Sequence, residues 1–221
     1  MKELVILNQS QNLGWYKPWT KRSFGLNIIG FMLIAVLTFI FTVFFDIIWL
    51  DIGYIYIYFV LIFLMMVTYF FVVNLKTKGT ATFLFGINGL LGIPIELIIE
   101  WQIENTLKSP GGALYWALIY VGYGLSIDLS LWLLKPARNE RKAVLISSLI
   151  SSISIILLSI LAGATFYKTG LSVPGVDDFL THGYFMIPYS IIQGVMGGFL
   201  GWYIANYLCE KGIQRKNLIM E

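Results

Sequence analysis

Charge is scarce in this sequence, and so are the two residue types that build most metal and redox centres. Only 12% of the 221 residues are charged, against about 25% in a soluble globular domain. The usual water-facing surface therefore cannot be built. There is one cysteine, Cys209, and one histidine, His182. A lone thiol excludes a disulfide framework and a thiolate cluster, and one imidazole is too few for a copper centre. No GxxxxGK[ST] loop is present to cradle a nucleotide phosphate. Nothing resembles a hydrolase triad, a dinucleotide fingerprint or a haem ligand pair, and no cofactor or metal is expected.

What the chain has in abundance is apolar length. Six runs, at 24–50, 52–75, 81–99, 113–134, 144–167 and 185–208, carry almost all of its 58% hydrophobic residues. At about 1.5 Å of rise per residue, a helix of about 20 residues crosses the 30 Å of a bilayer's hydrocarbon. The runs are continuous, whereas a transmembrane barrel would alternate polar and apolar positions. Lipid cannot hydrogen-bond an exposed amide, so the expected form is helical. The fold class is all-α, a polytopic six-transmembrane-helix bundle. Residues 1–23 form an amino-terminal segment, 24–208 the membrane domain and 209–221 a tail. The first 23 residues are polar and aromatic and do not read as a cleavable signal peptide.

Basic residues set the orientation. The amino-terminal segment holds Lys2, Lys17, Lys21 and Arg22, and the second loop Lys76 and Lys78. The fourth loop holds Lys135, Arg138, Arg141 and Lys142, and the tail Lys211, Arg215 and Lys216. The other three loops hold only Lys108 and Lys168. Thirteen against two, alternating at each crossing, places both termini in the cytoplasm of a cell-membrane protein. The net charge of +3 is thus a topology signal, and no nucleic-acid partner is implied.

The acids fall elsewhere. In "GIPIELIIEWQIENTLKSPGG", Glu96, Glu100 and Glu104 stand four apart and share one helical face. Glu96 is the deepest, next to Pro94, and an intramembrane carboxylate needs a cavity or a partner. Lys108 is one such partner, while three Glu without histidine suit a transition metal poorly. Asp128, in "GYGLSIDLSLWLLK", is the second intramembrane acid, open to an ion pair with the fourth loop or to a relay role. Trp116 and Tyr120 lie one turn apart near the outer leaflet, either as an aromatic belt or as a stacking surface. Tyr189 and Gln193 lie one turn apart beside Pro188, and a buried Gln needs partners. The serines of "SSLISSISIILLS" bond to their own backbone or pack against a neighbouring helix. Gly194 with Gly198, and Gly197 with Gly201, form two overlapping GxxxG pairs for close helix packing.

Three stretches together carry a family likeness. They are "KTKGTATFLFGINGLLGIPIEL", "SPGGALYWALIYVGYGLSIDLSLWLL" and "IIQGVMGGFLGWYIANYLCEKGI", within residues 76–213. The chain resembles the substrate-binding (S) components of energy-coupling factor vitamin transporters, nearest the thiamine or hydroxymethylpyrimidine group. That resemblance implies capture of a vitamin-like small molecule at the outer face, with ATPases and a transmembrane coupling subunit for partners. On this reading Glu96, Glu100, Trp116, Tyr120, Tyr189 and Gln193 line a pocket for an aromatic amine or azolium ligand. A second resemblance, through "KGTAT" and "DLSLW", is to the A-type membrane subunit of copper-dependent ammonia and methane monooxygenases. It implies a structural role in an enzyme complex. The topology has a direct test. A reporter fused after Glu221 should be active only when it is of the type that works in the cytoplasm; activity only outside the cell reverses the orientation.

Overall fold

The structure, a computed structural model, describes residues 16–48, 53–91, 111–136, 139–168 and 176–210. Side chains are described at 16–37, 40, 61–91, 117–136, 139–158, 160–161 and 187–209. The fold is all-helical, with no strand among the described residues. The helices are α1 Lys21–Ile48, α2 Gly53–Leu75, α3 described over Thr80–Leu91, α4 Gly111–Leu134, α5 Glu140–Lys168 and α6 Val176–Glu210.

Helix ends follow local chemistry. Thr20 caps α1 with its hydroxyl on the Ser23 amide, and Ser23 Oγ accepts the Thr20 amide in return, a reciprocal capping box. Asn139 caps α5 through the Lys142 amide. At the other ends, α2 and α4 stop on residues with left-handed backbone, Lys76 at φ 53° and Lys135 at φ 47°. Each donates its amide to the carbonyl four residues back, Val72 and Leu131 respectively, the αL termination motif.

Two boundaries differ from the sequence expectation. Residues 176–184, which contain His182 and were expected as an outer loop, belong to α6, which runs 35 residues and continues through Pro188. Proline removes one ladder bond and kinks a helix, but need not end it. The span expected from 144 begins a turn earlier, at Glu140, because Asn139 supplies its cap.

Close contacts define the order of packing. Gly197 approaches Ile62 and Met65 of α2, and Gly201 approaches Met66, Tyr69 and Phe70, so α2 and α6 run parallel. Gly194 meets Ser152 and Gly198 meets Ser148, so α5 runs against α6. Ser130 meets Ser147, which sets α4 against α5. Gly124 lies on Ala81 and Thr82, and Gly89 on Ala117 and Tyr120, which sets α3 against α4. Up-and-down alternation brings residues 16–22, 76–80, 139–142 and 202–206 to one end. There Lys17 donates its amide to the Lys76 carbonyl at 2.9 Å. The Trp19 indole donates to the Lys78 carbonyl at 2.6 Å.

The exterior is unlike that of a soluble protein, with Ile29, Leu118, Leu133 and Leu161 facing outward. The interior has an apolar core, with Met65, Leu84, Phe85 and Ile127 in it, interrupted by Asn27, Thr68, Ser147, Ser151, Ser152 and Gln193. Two stretches, Ala117–Leu134 and Glu140–Leu158, are long and apolar enough to cross a bilayer, and Leu61–Leu75 and Thr80–Leu91 are apolar over shorter lengths.

The α6 contacts predict a sharp contrast between glycines. A Cβ at 198 would stand 2.6 Å from Ser148 Cβ, so Gly198→Leu should cost about 3 kcal/mol of stability. Gly25 meets nothing within 4 Å, so Gly25→Ala should instead stabilise by up to about 1 kcal/mol. Thermal unfolding of both variants in detergent checks the pair, and an unchanged Gly198→Leu melt refutes the close contact.

Candidate functional site

Of the expected pocket, Glu96 and Glu100 lie outside the described residues, as do Glu104 and Lys108. Trp116 belongs to α4, with its side chain outside the described set. Tyr120 stacks on Phe85 of α3, centroids 6.0 Å apart and planes 22° apart. Gly89 admits that contact, since a Cβ there would stand 2.7 Å from Tyr120 Cβ. Gln193 is only 6% exposed, and its amide oxygen has no hydrogen-bond partner. Tyr189 is half-buried one turn earlier on α6.

Around Gln193 the structure gathers groups that sequence reasoning passed over. Ser190, 1% exposed, also has an unpartnered hydroxyl. It continues the small-residue stripe Ser190, Gly194, Gly198 at spacing four, the signal that would have found it. Thr68, the hydroxyl-bearing break in the apolar run of α2, is fully buried and unpartnered. Tyr123 of α4 lies beside Ser151 and Ser152, but its hydroxyl makes no bond of hydrogen-bond geometry. Gln193, Ser190 and Tyr123 gather at the level of Gly194, whose missing side chain leaves room for Ser152 Oγ, while Thr68, next to Tyr69 on α2, lies at the level of Gly201. Tyr69 donates to Ser147 at 2.8 Å, Ser147 and Ser130 share a hydrogen bond at 2.6 Å, and the two hydroxyls lie 3.4 and 2.9 Å from the Ile127 carbonyl. These hydroxyls are all partnered, so the open hydrogen-bonding capacity at this level lies at Gln193, Ser190 and Tyr123, with Thr68 and the Asn27 amide oxygen also unpartnered nearer the end that holds Lys17 and Lys76.

Asp128 has a different role from the ion pair or relay weighed above. Its carboxylate accepts the Thr82 amide at 2.7 Å, the Thr82 hydroxyl at 2.6 Å and the Ala81 amide at 3.3 Å. These are free donors of the first turn of α3. Gly79, which precedes that turn with φ 74°, has no side chain to cap it. Asp128 supplies the cap from α4, and Gly124 one turn earlier leaves space for α3 to come within reach. Its negative charge also faces the positive end of the helix dipole. Tyr16 sits close by, and burial, with the Asp128 charge adding, holds its phenol above the usual range.

Glu140 was not singled out from the sequence. One oxygen pairs with Lys76 Nζ at 2.9 Å. The other accepts the Trp202 indole at 3.2 Å and the Asn206 amide at 3.3 Å. One carboxylate thereby ties the end of α2, the start of α5 and the last turns of α6. Among the described residues no group of three His, Cys, Asp or Glu is placed to hold a metal ion.

The fold and these contacts define a class: an all-helical bundle with an apolar exterior, a hydroxyl-rich interior and one end stapled by charge. Comparison with protein-family models, curated proteins and solved structures returns no match for the chain.

The cap makes a prediction. Asp128→Ala should cost about 2 kcal/mol of stability. Asp128→Asn, which keeps one acceptor oxygen, should lose clearly less. Thermal unfolding separates the cases, because equal losses in the two variants would point to a charge pair instead.

Proposed function

We propose that the chain is a six-span membrane protein, with its stapled basic end in the cytoplasm, that captures a small molecule inside the bundle. The observation that carries this reading is an apolar exterior around buried polar groups. Neutral polar groups lie inside, Thr68, Tyr123, Ser190 and Gln193 among them without partners, while leucine and isoleucine face outward. An exterior of that kind is solvated by hydrocarbon. A buried amide oxygen without a partner costs about 1–3 kcal/mol, and a ligand that donates to it recovers this.

Depth supports capture from the outer side. Gly194 is twelve residues from Asn206 at the stapled end, about 18 Å along the helix. On the proposed orientation Gln193, Ser190 and Tyr123 would then lie beyond the midplane of a 30 Å hydrocarbon layer, on the side where the Glu96 stripe is expected. A small heteroaromatic molecule with a donor for Gln193 and a positive or amine group for Glu96 fits both. Substrate capture in the manner of the S components is the function this supports best, with ATPases and a coupling subunit completing the transporter.

The test is calorimetry on protein in mild detergent, with thiamine, its pyrimidine fragment and a neutral control, alongside mass spectrometry of any co-purifying small molecule. One cationic or amine-bearing compound should bind, and Gln193→Met should weaken it about tenfold. Glu96→Gln should weaken it too. If nothing binds or co-purifies, or if Gln193→Met binds as tightly as wild type, the capture reading fails.

A further inference from the structure

One stripe on the outside of α6 changes character along its length. Ile192 and Met196 are exposed, the latter 50%, and further on Tyr203 is 52% exposed and Tyr207 42%. The rings of Phe199, Tyr203 and Tyr207 stack in series, centroids 6.3 and 6.2 Å apart. The change falls at the stapled end, where the basic segments meet. Aliphatic side chains giving way to tyrosine beside cations mark a helix face passing from hydrocarbon to headgroup.

At that level Arg141 lies over the rings of Phe199 and Trp202, 5.6 and 5.7 Å from their centroids. The adjacent Glu140 is taken by Lys76, Trp202 and Asn206. Among the described residues no carboxylate pairs with Arg141. Ring stacking uses the face of a guanidinium and leaves its edge donors for a planar or tetrahedral oxyanion. Lys142, also exposed, follows directly.

We propose that this face holds an anionic phospholipid. The phosphate sits on Arg141 and Lys142, and an acyl chain runs along Met196 and Ile192, away from the tyrosines. The occupant is a lipid because charge and hydrocarbon stripe adjoin in the order of a lipid's own parts. A free phosphate would use only the cations, and an apolar protein surface only the stripe. The proposal rests on the membrane-embedded part of the preceding reading and is independent of ligand capture.

The experiment offers the full-length protein, in mild detergent, equal amounts of phosphatidylglycerol and phosphatidylcholine with identical acyl chains. Native mass spectrometry then counts the lipids retained. Wild type should prefer phosphatidylglycerol, and Arg141→Gln should lower that preference about fivefold, the worth of one cation near the headgroups. Arg141→Lys should keep part of it. Lys142→Gln, which leaves the ring contacts intact, should also lower it and serves if Arg141→Gln does not fold. Equal retention of both lipids by wild type, or an unchanged preference in both glutamine variants, overturns the site. So does displacement of the lipid by inorganic phosphate at constant ionic strength. Partition of each protein into membranes is measured first: a protein that partitions but shows no preference refutes the lipid site alone, whereas one recovered without detergent refutes the membrane reading.

Discussion

Because residues 194, 197, 198 and 201 carry no side chains, α6 approaches α2 and α5 until backbone meets backbone and serine hydroxyls. A Cβ at 197 would lie 2.6 Å from the Ile62 carbonyl, and one at 201 would run into the Met66 carbonyl. Where solvent is hydrocarbon, burial of apolar surface gives helices no reason to associate, so close packing has to hold them. The other contacts depend on this approach. Only with α5 drawn against Gly194 and Gly198 does its serine face reach the bundle centre, where Ser147 bonds to Tyr69 and Ser130.

Charge among the described residues is spent on structure. Two acids are described in atomic detail, and each is consumed in holding helices. Asp128 spends three acceptor positions on the start of α3, and Glu140 spends both oxygens on two other elements, the end of α2 and the last turns of α6. A carboxylate accepting that many donors has little capacity left for a ligand or a travelling proton. The groups with spare capacity are the neutral ones near Gly194, which have no competing partner to displace.

Much of the architecture was legible because apolar length and charge asymmetry are properties of short stretches. The alternation of helices and the gathering of Lys17, Lys76 and Lys142 at one end follow from such patterns. Other features require two distant parts of the chain at once. Nothing near Asp128 in sequence announces that its partners are the amides of Ala81 and Thr82. The clue lay at Gly79, a helix start without a capping side chain. Glu140 looked like one more loop charge because Lys76, Trp202 and Asn206 are each more than sixty residues away. Residues 176–184 read as a loop because polar residues and a proline mimic a break, whereas α6 continues through Pro188 despite the lost bond and the ring's clash with the preceding turn. Of the candidate site, Gln193 was recognisable as a polar residue in an apolar run. Ser190 was legible only as the first member of the spacing-four stripe with Gly194 and Gly198, a packing pattern that does not by itself mark an unpartnered hydroxyl.

The distribution of satisfied and unsatisfied groups gives the bundle two unlike halves. At the stapled end Trp19, Lys76, Glu140, Trp202 and Asn206 each have a named partner in another element, so separating the helices there breaks several charge-assisted bonds together. About three turns along α6, at the level of Gly194, Tyr123, Ser190 and Gln193 have polar atoms without one, while toward the stapled end Thr68 and the Asn27 amide oxygen are unpartnered as well. Parting the helices at that level forfeits few hydrogen bonds and lets those groups meet a partner. The cost of opening is therefore lower in the half away from the basic end.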